Sequence, residues 1–224
     1  MCKTHTTNQR EFFISRLVTH VLHVDTFGCT SLPARRLPSF EQYNSDQLKD
    51  MQEYLGITGL PEFCTAARAL AFGDAAAIKD GRVVTAQTLS GTGSLRVASE
   101  FLATFYTSKT ILVCQPTWGN HNKIFPKGGL AIKPYRYYDA RTKGLDIEGM
   151  LTDLGKAERG AIVLLHACAH NPTGVDPTQE QWQRILQVCQ QQQLLCLFDS
   201  AYQARTRALW QSRRRAVPHH ERRG

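Results

Sequence analysis

The chain has 224 residues, of which 42% are apolar, so it is long enough for one ordinary domain with a real core. Its formal charge of +8 is concentrated at the ends: residues 204–224 carry seven arginines and one glutamate, and residues 1–40 carry five basic and two acidic side chains. Residues 41–203 hold 15 basic and 16 acidic side chains and are nearly neutral. The charge therefore predicts no nucleic-acid partner, and no apolar run reaches the roughly 20 residues of a membrane span.

Seven cysteines are scattered along the chain without a CxxC pair. This pattern indicates reduced thiols rather than a disulfide framework, and it favours a reducing compartment, the cytoplasm. The N-terminus contains Lys3, Arg10 and Arg16 among serines and threonines, which leaves a mitochondrial or plastid transit peptide as the alternative. Glu11 weakens that alternative.

The first predicted elements are a strand, a helix and a second strand. Residues 83–89 are rich in β-branched side chains and predict a strand, which Ser90-Gly-Thr-Gly93 ends. One face of the following helix is marked by apolar residues three and four apart, Leu95, Ala98, Phe101, Leu102 and Phe105. Residues 111–114 predict a second, buried strand that ends before Pro116.

Two further strands enclose a helix. Residues 161–167 and 194–198 are apolar runs, as expected of parallel strands that are covered on both faces. Between them, Asp176 is predicted to cap a helix with Pro177 at its first position and Gln179 three residues after the cap. The predicted inward face of this helix is Trp182, Ile185, Leu186 and Cys189. Strands that alternate with helices predict an α/β domain with a mainly parallel sheet.

Ligands of such sheets bind at the carboxyl ends of the strands, so the polar residues that follow each strand are candidates for a site. Ser90 to Gly93 opens a helix whose N–H groups suit an anion, although an ordinary turn is the simpler explanation of these residues alone. Asp199 ends an apolar strand, where a carboxylate must be capped, paired or functional. A helix cap and a catalytic role both remain open for it.

His166, Cys168 and His170 are spaced two apart, so along a strand they could face one side as metal ligands do. Zinc sites usually have a fourth ligand and a loop geometry, so neutral structural histidines are the preferred interpretation and no metal is predicted. Trp118, taken alone, is most simply a core residue, and Tyr202 a residue at a strand end.

Four sequence blocks match one family in order and spacing: Pro116-Thr-Trp-Gly-Asn-His121, Tyr135-Arg-Tyr-Tyr-Asp139 with Gly144-Leu-Asp146, His166-Ala-Cys-Ala-His-Asn-Pro-Thr-Gly174, and Phe198-Asp-Ser-Ala-Tyr-Gln203. From about Tyr54 to Gln203 the chain resembles the aspartate transaminases, pyridoxal phosphate enzymes of fold type I. The resemblance implies a three-layer α/β large domain with a mainly parallel sheet, here incomplete. It divides the chain into a non-matching segment 1–41, a partial aminotransferase domain 42–203 and a basic tail 204–224 that is expected to be disordered.

The resemblance implies a homodimeric enzyme that transfers an amino group between L-aspartate and 2-oxoglutarate, with L-glutamate and oxaloacetate as the other pair. Pyridoxal 5′-phosphate is its cofactor. Ser90, Gly91 and Thr92 correspond to residues that hold the cofactor phosphate. Tyr54 corresponds to a tyrosine that reaches the phosphate of the neighbouring subunit.

The same resemblance implies how the pyridine ring is held. Trp118 stacks on the ring, and Asn171 and Tyr202 hydrogen-bond its hydroxyl. Asp199 pairs with the protonated ring nitrogen, and His121 lies behind Asp199. Trp118 and Asn171 also lie next to the substrate.

The lysine of the family has no counterpart in the sequence. In the family it forms the Schiff base and lies a few dozen residues beyond the block that ends at Gln203, whereas no lysine follows Lys156. The arginines that bind the substrate carboxylates fall in the same part of the family's sequence. We therefore predict a truncated transaminase that has no catalytic residue of its own and is inactive alone. The alternative is a non-catalytic truncated product or a dimerisation partner of a full-length transaminase.

Overall fold

The structure is a computed structural model that describes residues 21–22, 54–73 and 76–202. Its strands are, in chain order, β1 (Val21–Leu22), β2 (Thr110–Gln115), β3 (Ala131–Arg136), β4 (Tyr138–Asp139), β5 (Gly144–Leu145), β6 (Ile162–His166) and β7 (Leu195–Ser200). Five of them form a parallel sheet in the order β1-β7-β6-β2-β3, and β4 and β5 form a separate antiparallel pair. The mainly parallel sheet that the sequence predicts is confirmed.

The described residues also form six helices: α1 (Pro61–Phe72), α2 (Ala76–Lys79), α3 (Ser90–Phe105), α4 (His121–Lys127), α5 (Ile147–Gly155) and α6 (Gln179–Gln191). Residues of α3 and α4 share one apolar cluster with one face of the sheet. Residues of α5 and α6 share a second cluster with the opposite face. The sheet is therefore the middle layer of a three-layer α/β domain, as predicted.

Alternate residues of each central strand enter different clusters. On β2, Ile111 and Val113 pack towards α3 and α4, whereas Leu112 and Cys114 pack towards α5 and α6. Every residue of β6 is buried. Burial on both faces explains why these strands are continuous apolar runs in the sequence. The predicted strands at residues 111–114, 161–167 and 194–198 are confirmed to within two residues.

The predicted strand at residues 83–89 is wrong. Residues 82–88 have no regular secondary structure, and Leu89 lies in a bend. Val84 and Leu89 are 84% and 89% exposed. The backbone N–H of Gln87 donates to the carbonyl of Thr58 at 2.8 Å rather than to a strand. A β-branched sequence becomes a strand only when a partner strand pairs with it, and this segment has none among the described residues.

The inward face of α3 differs from the predicted one. It consists of Leu95, Ala98, Ser99 and Leu102. Phe101 and Phe105 are 44% and 66% exposed, and their ring centroids lie 5.0 Å apart on the helix surface. Ser99 is buried instead, because α4 packs closely on that side and the Ser99 hydroxyl donates to the carbonyl of Phe125 at 3.3 Å.

The helix α6 begins later than predicted. Its cap is Thr178, whose hydroxyl accepts the N–H of Gln181 at 3.3 Å, while the Gln181 side chain accepts the N–H of Thr178 at 2.8 Å. This reciprocal pair is a capping box. Asp176 is not the cap, because its carboxylate accepts backbone N–H groups of the preceding loop. Pro177 therefore precedes the helix, and Gln179 is its first residue.

The buried face of α6 follows the prediction with one exception. Ile185 and Cys189 are buried and Trp182 is half-buried, but Leu186 is 39% exposed. Leu186 lies one residue after Ile185, about 100° further around the helix. Val188 packs against the cluster in its place.

None of the helices in the described ranges combines the length and the apolar character of a membrane span. The cysteines of these ranges are free thiols: Cys64, Cys114, Cys168, Cys189 and Cys196. Cys2, Cys29, the basic N-terminal residues and the tail 204–224 lie outside the described residues.

Candidate active site

A cavity of about 200 Å³ lies at the carboxyl ends of β6 and β7, beside the start of α3. Four segments that are distant in the sequence line it: Ser90, Gly91, Thr92 and Leu95; Trp118; His166, Cys168, Ala169 and Asn171; and Asp199, Ala201 and Tyr202. Three of these segments lie at or after the carboxyl ends of β2, β6 and β7, which meet at one edge of the sheet, and the fourth is the start of α3.

The cavity contains seven of the eight residues predicted to bind a cofactor: Ser90, Gly91, Thr92, Trp118, Asn171, Asp199 and Tyr202. Tyr54 does not line it, and its side chain is fully exposed. His121 is fully buried and contacts Asp199 from behind.

Sequence reasoning did not place five other residues on the cavity wall: Leu95, His166, Cys168, Ala169 and Ala201. For His166 and Ala201 a signal was present, since each lies at or directly after the end of a buried strand. Leu95 carries no such signal, because it looks like any other core residue of a helix.

The start of α3 makes one end of the cavity suitable for an anion. Ser90, Gly91 and Thr92 are the first three residues of this helix, and its first turn contains no acidic side chain. The first N–H groups of a helix have no acceptor within the helix, and the helix dipole places positive potential there. Ser90 has a φ of 62°, in the left-handed region that a residue with a Cβ seldom adopts. Such strain at a cavity wall is typical of a binding site.

The carboxylate of Asp199 belongs to a chain of hydrogen-bonded side chains. His121 Nε2 lies 3.0 Å from Asp199 Oδ2, and His121 Nδ1 lies 2.8 Å from Thr117 Oγ1. Thr117 Oγ1 lies 3.4 Å from His166 Nε2. His166 Nδ1 accepts the backbone N–H of Asn171 at 3.3 Å.

The backbone N–H of Asn171 sets the direction of every hydrogen bond in this series of side chains. Because His166 Nδ1 accepts that N–H, the proton of the neutral ring lies on Nε2 and donates to Thr117 Oγ1. The Thr117 hydroxyl then donates to His121 Nδ1, which leaves the His121 proton on Nε2, facing Asp199. Asp199 therefore accepts a hydrogen bond from His121 on one side and lines the cavity on the other.

His166, at the end of β6, and His170, in the loop after it, are neutral. Burial, reinforced by His170 and His121, lowers the pKa of His166 to about 3. Burial, reinforced by His121, lowers the pKa of His170 to about 4. The His170 ring nitrogens lie 2.8 Å from Thr173 Oγ1 and 3.2 Å from Cys114 Sγ. Burial raises the pKa of Cys114 to about 11, so this partner is a thiol.

The predicted alternation of His166, Cys168 and His170 along one strand is wrong. β6 ends at His166, and the other two lie in the turn and loop after it. Donor atoms of Cys114, His166 and His170 lie within 4.8 Å of one another, as do those of His121, His166 and Asp199. Their contacts are the hydrogen bonds described above.

Lowering the pH is expected to destabilise the folded chain. His166 and His170 have pKa values of about 3 and about 4 in the fold, against an ordinary value of 6.5. At pH values between the pKa in the fold and 6.5, each histidine binds more protons in the unfolded chain than in the folded chain. The contribution of the two histidines to the free energy of unfolding is therefore complete above pH 6.5 and is lost as the pH falls. Urea unfolding at about pH 7, 6 and 5 measures the slope, at most about 1.4 kcal/mol per pH unit for each histidine. His170→Gln should reduce this slope. An unchanged slope would contradict a lowered pKa of His170 in the folded chain.

A parallel sheet between two helical layers, with a helix start and a carboxylate at the carboxyl ends of its strands, defines a ligand-binding α/β domain. The family model for aminotransferase class I and II matches residues 35–215. The chain belongs to this family.

The similar proteins are aminotransferases. The cytoplasmic aspartate aminotransferase of Oryza sativa subsp. japonica is 59% identical over 154 residues, which are 68% of this chain and 38% of that protein. The mitochondrial aspartate aminotransferase of Schizosaccharomyces pombe is 54% identical over 170 residues, 75% of this chain and 39% of that protein. Among solved structures, an aromatic-amino-acid aminotransferase from Burkholderia pseudomallei, covalently bound to pyridoxal phosphate, has a TM-score of 0.66 and 41% identity, covering 67% of this chain and 38% of that one.

The chain thus spans about two fifths of the length of the curated relatives that it matches. Those relatives include cytoplasmic, mitochondrial and chloroplastic isozymes.

Proposed function

We propose that the chain forms the cofactor-holding part of an aspartate aminotransferase. The reaction moves an amino group between L-aspartate and 2-oxoglutarate, with L-glutamate and oxaloacetate as the other pair, and uses pyridoxal 5′-phosphate. The observation that carries this proposal is the meeting of the α3 start and the Asp199 carboxylate in one cavity. An anion fits the first and a cationic ring nitrogen fits the second. A phosphorylated pyridine presents both groups on one small molecule.

The other wall residues fit the same molecule. Trp118 presents an aromatic surface to the cavity, and its ring is held edge-on by His121, with centroids 5.3 Å apart and planes at 87°. This surface suits a flat heterocycle. Asn171 and Tyr202 add polar side chains that suit a ring hydroxyl.

Bound pyridoxal phosphate supplies an electron sink for the negative charge that develops when an amino acid loses its α proton. In the proposed mechanism, Asp199 accepts the ring N–H and favours its protonated form. His121 orients the Asp199 carboxylate through its Nε2–H at 3.0 Å. Thr117 and His166 connect His121 to the backbone of Asn171, so Asp199 and Asn171, which would hold the ring, belong to one hydrogen-bonded unit.

The cavity wall, as far as the structure describes it, contains no lysine. We therefore propose that this chain holds the cofactor by non-covalent contacts and does not catalyse transamination alone. The full exposure of Tyr54 supports a contact with a neighbouring subunit in a homodimer. We propose a cytoplasmic location, with the mitochondrion and the plastid as alternatives.

Binding of pyridoxamine 5′-phosphate to the full 224-residue chain tests this function. This compound has an amine in place of the aldehyde, so it cannot condense with surface lysines. We expect saturable binding that changes the intrinsic fluorescence. Pyridoxamine without the phosphate should bind at least about tenfold more weakly, because the start of α3 then has no anion to hold. Equal affinity for the two compounds, or no saturable binding, would contradict the proposal.

A further inference from the structure

The loop between β6 and α6 carries Asn171 into the cavity and is bound by a carboxylate outside the cavity wall. Asp176 Oδ2 accepts the backbone N–H of Ala169 at 2.7 Å, and its Oδ1 accepts the backbone N–H of His170 at 2.9 Å. Hydrogen bonds to an ionised carboxylate are about twice as strong as those between neutral groups. Asp176 therefore binds the two residues that directly precede Asn171.

One of these two residues is in a strained conformation. Ala169 has a φ of 49°, in the left-handed region where its Cβ crowds the backbone. Such a conformation persists only where surrounding contacts hold it. Ala169 and Asn171 both line the cavity. A relaxation of Ala169 would therefore move the Asn171 side chain relative to Asp199.

Other contacts hold the remainder of the loop. The His170 ring stacks on Tyr137 with centroids 3.9 Å apart, and its Nδ1 lies 2.8 Å from Thr173 Oγ1. The Tyr137 hydroxyl donates to the carbonyl of Val175 at 2.7 Å. These contacts fix the His170 side chain and the far end of the loop, whereas Asp176 binds the N–H groups of the strained turn itself.

We propose that Asp176 is a positioning residue of the cofactor cavity. Its carboxylate holds Ala169 in the left-handed conformation and thereby fixes Asn171 beside the bound pyridine ring. The identity of the ligand rests on the proposed function, whereas the anchoring of the loop by Asp176 does not depend on it. Asp176 is exposed, so a polar replacement stays solvated and the fold should survive it.

Asp176→Asn in the full chain tests the proposal. The amide keeps one acceptor oxygen but turns an N–H₂ donor towards a backbone N–H, so one of the two bonds is lost. We expect hydrogen exchange at the Ala169 and His170 amides to accelerate about tenfold, and pyridoxamine 5′-phosphate to bind about tenfold more weakly. Asp153→Asn is the matched control, since Asp153 accepts the backbone N–H of Arg136 at 2.9 Å and does not line the cavity. This control should change neither measurement.

A second substitution tests the role of strain. Ala169→Gly in the Asp176→Asn background should restore the affinity to within about threefold, because glycine adopts a positive φ without a Cβ penalty. No restoration would overturn the claim that Asp176 holds a strained turn.

The remaining outcomes separate the two proposals. Unchanged exchange in Asp176→Asn would overturn the anchoring of the loop. Faster exchange with unchanged affinity would overturn the positioning of Asn171. If the unsubstituted chain does not bind pyridoxamine 5′-phosphate, the proposed function fails, and the exchange measurement still decides whether Asp176 anchors the loop.

Discussion

Asp199→Asn is expected to weaken the binding of pyridoxamine 5′-phosphate by about 100-fold. The Asp199 side chain is only 13% exposed, and its carboxylate is the negative group that would face the ring nitrogen. Asparagine keeps the volume and can still accept the hydrogen bond of His121 Nε2 at its amide oxygen. The variant therefore removes the charge with little change in shape, and it leaves a cationic ring without its partner.

Fluorescence titration of the Asp199→Asn chain measures the loss. Asp146→Asn is the control, because Asp146 also accepts a backbone N–H, that of Gly149 at 2.9 Å, but lies at the cap of α5 and does not line the cavity. Its affinity should equal that of the unsubstituted chain. An affinity within about threefold of that value for Asp199→Asn would exclude a charged partner at the ring nitrogen.

The strands that the sequence predicts correctly are those whose environment is uniform. β2, β6 and β7 lie inside the sheet with helices on both faces, so each contains a run of at least four apolar residues. β3 is at the edge of the sheet, contains Pro134 and buries only Tyr135. A proline is tolerated at an edge, and such a strand leaves no apolar run in the sequence.

Errors arose where the outcome depends on a neighbour that the local sequence does not contain. Residues 83–89 have the composition of a strand but no strand beside them among the described residues. Asp176 and Thr178 are both suitable caps, and only the position of the loop decides that Asp176 binds Ala169 and His170 instead. The proposed positioning role of Asp176 could not be predicted from the sequence for the same reason, since it depends on where the loop after β6 lies.

The candidate site was easier to predict than these elements. Asp199 lies near the end of β7, and Trp118 and Asn171 lie in the segments after β2 and β6, so the carboxyl ends of the parallel strands bring these three residues together. Asp199 and Asn171 could therefore be placed together from the order of the strands. Ser90 to Thr92 instead begin a helix that follows no strand among the described residues.

The resemblance also implied the contact of His121 with Asp199. The further hydrogen bonds through Thr117 to His166 could not be predicted, because they depend on the directions of side chains from separate segments.

The spacing of apolar residues predicts that Phe101 and Leu102 both lie on the buried face of α3, whereas the structure buries only Leu102. Substitutions at these two neighbouring positions distinguish the two orientations of the helix. Leu102→Ala is expected to lower the free energy of unfolding by about 3 kcal/mol, because a fully buried side chain is removed and leaves a cavity in the core. Phe101→Ala should lower it by less than about 1 kcal/mol, since this ring is 44% exposed. Both variants place alanine in the same helix, so differences in helix propensity are small.

Urea unfolding of the two variants measures both effects. The slope of the free energy of unfolding against urea concentration should be the same in both variants, so that the two free energies can be compared. Equal losses would mean that Phe101 is buried as deeply as Leu102, as the spacing of apolar residues predicts, and that α3 is rotated from the orientation described. The orientation matters for the cavity because α3 begins there with Ser90, Gly91 and Thr92. Leu95 and Leu102 hold the helix against the sheet, and the first residues of the same helix line the cavity. The packing of this one face and the position of the proposed anion site therefore depend on the same contacts.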